Sequence, residues 1–251
     1  RQAAIQLGHC GNMSHKSICG VTPVGASSGF NLYSPTFVRG LKKEELPEMA
    51  RAYGHAVNLA REAGFDAVEI HAGHGYLISQ FLSPYTNRRK DCFGGSLENR
   101  MRFMDMVMEE VMKAAGTDMA VLVKVNMRDG FRGGMEMDET MQVAKRLEQS
   151  GAHALVLSGG FVSKAPMYVM RGQMPIHSMT HYMNCWWLKY GVRMVGKWMI
   201  PTVPFKEAYF LEDALKFRAE IKMPLVYVGG LVSREKIDEA VSYTHLTLPT
   251  N

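Results

Sequence analysis

Three features of the sequence predict an α/β chain folded as part of a (β/α)8 barrel. Short apolar runs alternate with longer segments of helical period, polar residues inside those runs keep to one parity, and the runs end in loops containing glycine. About five of the barrel's eight strands are expected within the 251 residues. Strand-like runs lie at residues 3–7, 67–71, 120–125, 154–158 and 225–228, and helical segments at 44–63, 97–115, 138–150, 205–221 and 233–241. Repeated βα units give parallel strands with helices outside, as a doubly wound sheet or a barrel. The parity chooses between them. Ile5 and Leu7 oppose Gln6, Val68 and Ile70 oppose Glu69 and His71, Val121, Val123 and Val125 oppose Lys124 and Asn126, and Leu155 and Leu157 oppose Ser158. A doubly wound sheet covers both faces with helices, whereas a barrel has an interior whose upper layer meets a ligand at the C-terminal strand ends.

Composition bounds the function. With 47% hydrophobic and 21% charged residues, the chain reads as one globular domain with a sizeable core. A net charge of +5 is a mild cationic bias, and without a Lys/Arg stripe interleaved with aromatics it excludes nucleic acid and favours small anionic ligands. The four cysteines form no CxxC pair, and no apolar run reaches the roughly 18 residues of a membrane span. These features predict a reduced, cytoplasmic protein with no membrane partner. The folded unit is expected over residues 1–241 as a partial barrel, opening on a strand with no lead-in. The Thr-rich residues 242–251 read as a non-native tail that abandons helical periodicity.

The elements carry the chemistry in order. Residues 8–40 form a Gly-, Ser- and Pro-rich stretch that reads as a long functional loop. His9, Cys10, His15 and Cys19 within it match no standard zinc spacing. The next strand releases His71, His74 and Tyr76 within six residues, at the edge where barrels hold their active sites. HxxH also fits a metal-dependent barrel hydrolase, but the other strand ends offer Gln6, Lys124, Asn126 and Ser158, and an ammonium there favours an anionic ligand over a divalent cation. Glycine pairs close two strands, Gly159-Gly160 and Gly229-Gly230. The second, ahead of a helix beginning near Ser233, can hold a phosphate on backbone N–H groups. The excursion 161–204, with Trp186, Trp187, Trp198 and many methionines, reads as a substrate-side cap, an interface or ordinary core packing.

The run VEIHAGHGYLISQFLSPYTNRRKDCFGGSLENRMRF resembles the signature of the Old Yellow Enzyme family of NAD(P)H:flavin oxidoreductases, which includes 2,4-dienoyl-CoA reductases. Gln6-Leu7-Gly8-His9, VKVN at 123–126, LSGG at 157–160 and VGG at 228–230 fall in the family's order. The resemblance implies an FMN-binding (β/α)8 barrel that takes hydride from NAD(P)H and passes it to an α,β-unsaturated carbonyl or related activated alkene. By the same resemblance, Gln6 addresses the flavin pyrimidine edge and Lys124 lies beside flavin N1 and O2. Gly229 and Gly230 form part of the phosphate cradle, His71 and His74 bind the acceptor oxygen, and Tyr76 is the proton donor. Matched to the family, the chain begins at the third strand and lacks the last. An iron–sulfur cluster of the dienoyl-CoA branch would fall in that absent C-terminal region, and the chain alone would be an inactive fragment if half a cofactor site does not suffice. Asn12 stands where many relatives carry arginine. The partner expected is a small enone-type molecule, with a homo-oligomer allowed.

Overall fold

The computed structural model describes residues 2–32, 35–181, 185–199 and 202–244. β1 (Ala4–Leu7) is followed by a short helix α1 (Lys16–Cys19) and three small strands, β2 (Val24–Gly25), β3 (Gly29–Asn31) and β4 (Thr36–Gly40). Then come α2 (Leu46–Glu62), β5 (Ala67–His71), α3 (Leu77–Leu82), α4 (Leu97–Ala115), β6 (Ala120–Asn126), α5 (Met137–Gln149) and β7 (Ala154–Ser158). The chain continues through α6 (Pro166–Met170), α7 (Ile176–Met179), α8 (Trp186–Met199), α9 (Leu211–Glu220), β8 (Leu225–Tyr227) and α10 (Arg234–Thr244).

The main sheet has the order β1-β5-β6-β7-β8 with every pair parallel, so each crossover runs to the adjacent strand, as in a (β/α)8 barrel. Its register aligns the polar residues: Gln6 pairs with Glu69, His71 with Lys124, and Asn126 with Ser158. One face is sealed, with Val68, Ile70, Val121, Val123, Val125, Leu155 and Leu157 all at 0% exposure. The helices supply the other half of that core through Val57 of α2, Phe103, Met104, Val107 and Val111 of α4, and Val143 and Leu147 of α5. Gly54 lets α2 approach α4, because a Cβ there would lie 3.0 Å from the Glu110 carbonyl oxygen. The opposite face is open toward its lower end, where Gln6 is exposed and Glu69 and Lys124 are half-buried. The parity expectation therefore holds.

Three expectations need correction, and a fourth segment gains detail. Residues 8–40 are not simply a loop: β2, β4 and β3 form a second sheet in that order. Strands of two to five residues with glycines at their ends fall below any periodicity signal, and Arg89 braces them by donating from Nη1 to the Ala26 and Leu41 carbonyls. The helix expected from 205 begins only at Leu211, because Ala208 has a left-handed φ of 56°. α10 runs three residues past its expected end, to Thr244, so helical structure does not stop at Ser242; residues 245–251 lie outside the described residues. The excursion after β7 is helical, contributing Phe161, Met167 and Ile176 to buried surface while leaving much of α8 exposed.

Candidate active site

β5 delivers His71 to the C-terminal edge of the sheet, and the chain then bends sharply. His74 has φ 58° and Gly75 φ 83°, two successive left-handed residues, of which the first carries a full side chain. Such a bend persists only where its surroundings over-determine it. Here the His74 N–H donates to Asn126 Oδ1 at 2.9 Å, and the Gly75 N–H donates to Ser79 Oγ at 3.1 Å. The Val162 N–H donates to the His74 carbonyl at 3.0 Å. Space is equally restrictive: a Cβ on Gly73 would sit 2.8 Å from Asn126 Oδ1, and one on Gly75 would overlap the Phe161 ring. The ends of β6 and β7 thus fix the shape of the loop after β5.

Three of the expected residues meet there. The His71 ring centroid is 5.0 Å from that of His74 and 4.7 Å from that of Tyr76, both edge to face. The Gly73 N–H donates to His71 Nδ1 at 3.2 Å, so the proton of a neutral His71 is on Nε2. His74 Nε2 lies 2.8 Å from Ser158 Oγ, which orients the second ring. Burial pushes His71 down to about 3, helped by its neighbours His74 and Lys124. Burial also lowers His74 to about 4, with Lys124 adding to the shift and Glu69 opposing it. At neutral pH the pair is uncharged.

On the same face as His71, Gln6 Nε2 donates to Glu69 Oε1, and Lys124 Nζ lies 2.5 Å from that same oxygen. Donors from β1 and β6 therefore converge on a single anionic oxygen supplied by the strand between them.

Several contributors were not singled out from the sequence. Glu69 was recognised only by its parity. Asp129, fully buried, accepts from Asn126 Nδ2 at 2.9 Å, Ser83 Oγ at 2.6 Å and the Met135 N–H at 2.8 Å, and so holds Asn126 where His74 needs it. Burial raises the Asp129 carboxyl above its usual range, with those three bonds opposing. Gln80, also fully buried, donates to the Gly75 carbonyl at 2.7 Å and to Asn12 Oδ1 at 2.9 Å, tying the segment after β1 to the histidine loop. The polar pair Ser79-Gln80 between apolar residues in LISQFL was the available signal.

Gly229 and Gly230 stand apart from these two groups. They follow β8 on the same sheet edge as His71, three strands over, or about 14 Å at the usual strand spacing. Gly230 needs its glycine, with φ 70° and the Tyr209 ring against the place a Cβ would take. The amides at the start of α10, expected to face a phosphate, are capped internally instead: the Val232 and Ser233 N–H groups donate to Glu207 Oε1 at 2.7 and 2.5 Å. Among the described residues, no group of three or more His, Cys, Asp or Glu is placed to hold a metal ion, and the neighbours of the histidines are Ser158, Asn126 and Lys124.

Comparison with known proteins identifies the family and the fold. Residues 2–190 match the profile of the NADH:flavin oxidoreductase / NADH oxidase family. The chain is 34% identical over 240 residues to a 4,4'-dithiodibutanoate disulfide reductase of Rhodococcus erythropolis, covering 95% of this chain and 59% of that protein. It is 34% identical over 176 residues to an NADPH dehydrogenase of Halalkalibacterium halodurans, covering 70% of this chain and 50% of that one. In structure it overlays 96% of its length on 59% of the old yellow enzyme homologue from Zymomonas mobilis, with a TM-score of 0.67 at 24% identity, which shows a shared barrel fold. The chain thus spans between half and three fifths of these relatives' lengths.

Proposed function

The chain belongs to the NADH:flavin oxidoreductase / NADH oxidase family, and from that premise we propose that it carries the FMN edge and the acceptor site of an enzyme reducing an α,β-unsaturated carbonyl or related activated alkene. The observation that supports this reading is the convergence of Gln6 and Lys124 on one oxygen, with a neutral histidine pair whose His71 is the cross-strand partner of Lys124. Bound FMN supplies a relay of hydride from NAD(P)H to the acceptor. Gln6 and Lys124 would hold its pyrimidine edge, and the Lys124 ammonium favours any negative charge that develops there. Gly229 and Gly230 would contribute to the phosphate end.

The remaining work falls to the loop after β5. As the acceptor's β-carbon takes hydride, negative charge grows on its carbonyl oxygen, and the neutral imidazoles of His71 and His74 donate hydrogen bonds to that oxygen. Removing one such donor costs about a hundredfold or more in rate. Neutral donors suit this task because they stabilise the transition state without binding anions indiscriminately in the ground state. Tyr76, packed on His71, would hold a phenolic proton for the α-carbon.

A second acceptor class has its own support. The relative matched over 95% of this chain is named a disulfide reductase. On that reading an organic disulfide takes hydride at one sulfur, the S–S bond breaks, and the departing thiolate takes the Tyr76 proton. One experiment addresses both readings: the protein is reconstituted with FMN, reduced anaerobically by NADPH or NADH, and offered cyclohexenone or 4,4'-dithiodibutanoate. Bleaching of the flavin absorbance followed by recovery on acceptor addition is expected. No retained flavin, or bleaching with recovery by neither acceptor, overturns the proposal.

A further inference from the structure

We infer that α8 is a peripheral docking element for an anionic bilayer surface. Its sequence, WWLKYGVRMVGKWM, contains no carboxylate. The depletion extends beyond the helix. Five of the chain's 29 Lys and Arg, and none of its 24 Asp and Glu, fall within residues 161–204, so the whole net charge of +5 resides in this excursion and the remainder is neutral.

The structure gives that charge an amphipathic frame. The side of α8 that packs on α7 is marked by Gly196, which is buried and whose Cβ would lie 3.0 Å from Ile176 Cδ1. Away from it, Trp186, Tyr190 and Met194 recur every fourth residue at 71%, 58% and 76% exposure, and Trp187 and Val195 widen the same band. Half-buried Lys189 and Arg193 border the band on the side nearer α7, and Arg193 is held there by a 2.9 Å hydrogen bond from Nε to Thr180 Oγ1. An exposed band of tryptophan, tyrosine and methionine rimmed by cations is the pattern of a helix lying in the headgroup region. The rings enter the acyl boundary while the ammonium and guanidinium groups meet lipid phosphates. At 14 residues α8 is about 21 Å long, and no helix among the described residues is long and apolar enough to cross a membrane. The expectation of no membrane partner rested on the lack of such a span, a test that a helix lying in the interface does not meet.

The experiment uses an accident of composition: all three tryptophans of the chain, Trp186, Trp187 and Trp198, lie in α8. Intrinsic tryptophan fluorescence therefore reports on this helix alone. The chain is mixed with vesicles of equimolar phosphatidylglycerol and phosphatidylcholine, or of phosphatidylcholine alone, and followed by emission shift and co-sedimentation. The expected result is a blue shift and sedimentation with the anionic vesicles, about tenfold weaker with the neutral ones and weaker again at about 1 M salt, where screening shortens to about 3 Å. Lys189→Glu should lower partition about tenfold, and W186E/W187E, both at exposed positions, should abolish it while circular dichroism stays unchanged. Binding that is absent, indifferent to lipid charge or unaffected by these substitutions overturns the inference. So does a dimer, detected by light scattering, that W186E/W187E dissociates, since the band would then be a contact between copies of the chain.

Discussion

His74 is a non-glycine residue in left-handed backbone and also a half-buried imidazole kept neutral, two unfavourable conditions that its neighbours hold in place. The first is tested at the adjoining residue. Gly75→Ala places a methyl group into the Phe161 ring at a φ of 83°, so it should destabilise the fold by about 2–3 kcal/mol, read as a lowered midpoint in urea. The second gives a pH dependence. The folded-state values of about 3 for His71 and about 4 for His74 lie below the roughly 6.5 of an unfolded histidine, so between those limits the unfolded chain binds more protons and stability falls as pH falls. At pH 5 the loss should reach up to about 2 kcal/mol per histidine relative to pH 7. Urea titrations at both pH values should show it, and His71→Asn/His74→Asn should flatten the slope. These residues were identifiable in the sequence because they sit at a strand's polar end. Their protonation was not, since it depends on Lys124 and on burial contributed by residues more than fifty positions away.

At the scale of elements, the loop after β5 takes its shape from β6 and β7. Asn126 bonds the His74 backbone, Ser158 bonds its ring, and Asp129 in turn fixes Asn126. Asn126→Ala should therefore lower the rate of acceptor reduction at least tenfold while leaving the FMN dissociation constant within about twofold, because Gln6 and Lys124 do not touch Asn126. Stopped-flow reoxidation and a flavin titration separate the two effects. The parallel strands and their helices could be read from periodicity, with the expected bounds of β5, α4 and β7 coinciding with those observed, because each is apolar on a fixed face. The three small strands could not, since β2 has two residues and its pairing with β4 depends on braces such as Arg89 that no local pattern announces. α3 was hidden for a different reason: it is six residues long and buried all round, leaving no polar face to mark its period.

Across the whole molecule, the two faces of the main sheet divide the labour. The sealed face accounts for the fold, and the opposite one carries Gln6, Glu69, His71, Lys124, Asn126 and Ser158, a division that parity made visible. A ligand seated on the open face binds only the folded chain, so FMN at a hundred times its dissociation constant should stabilise it by about 2.7 kcal/mol, measured as a rise in thermal midpoint. Lys124→Ala should abolish most of that gain. The convergence on Glu69 has a kinetic corollary. Because its carboxylate already holds the Gln6 amide and the Lys124 ammonium side by side, a flavin bound as proposed would exchange one acceptor for another, without first gathering two scattered side chains. Uptake should then proceed as a single exponential whose rate climbs linearly with FMN concentration. The anion that waits in the groove serves as a template for its successor.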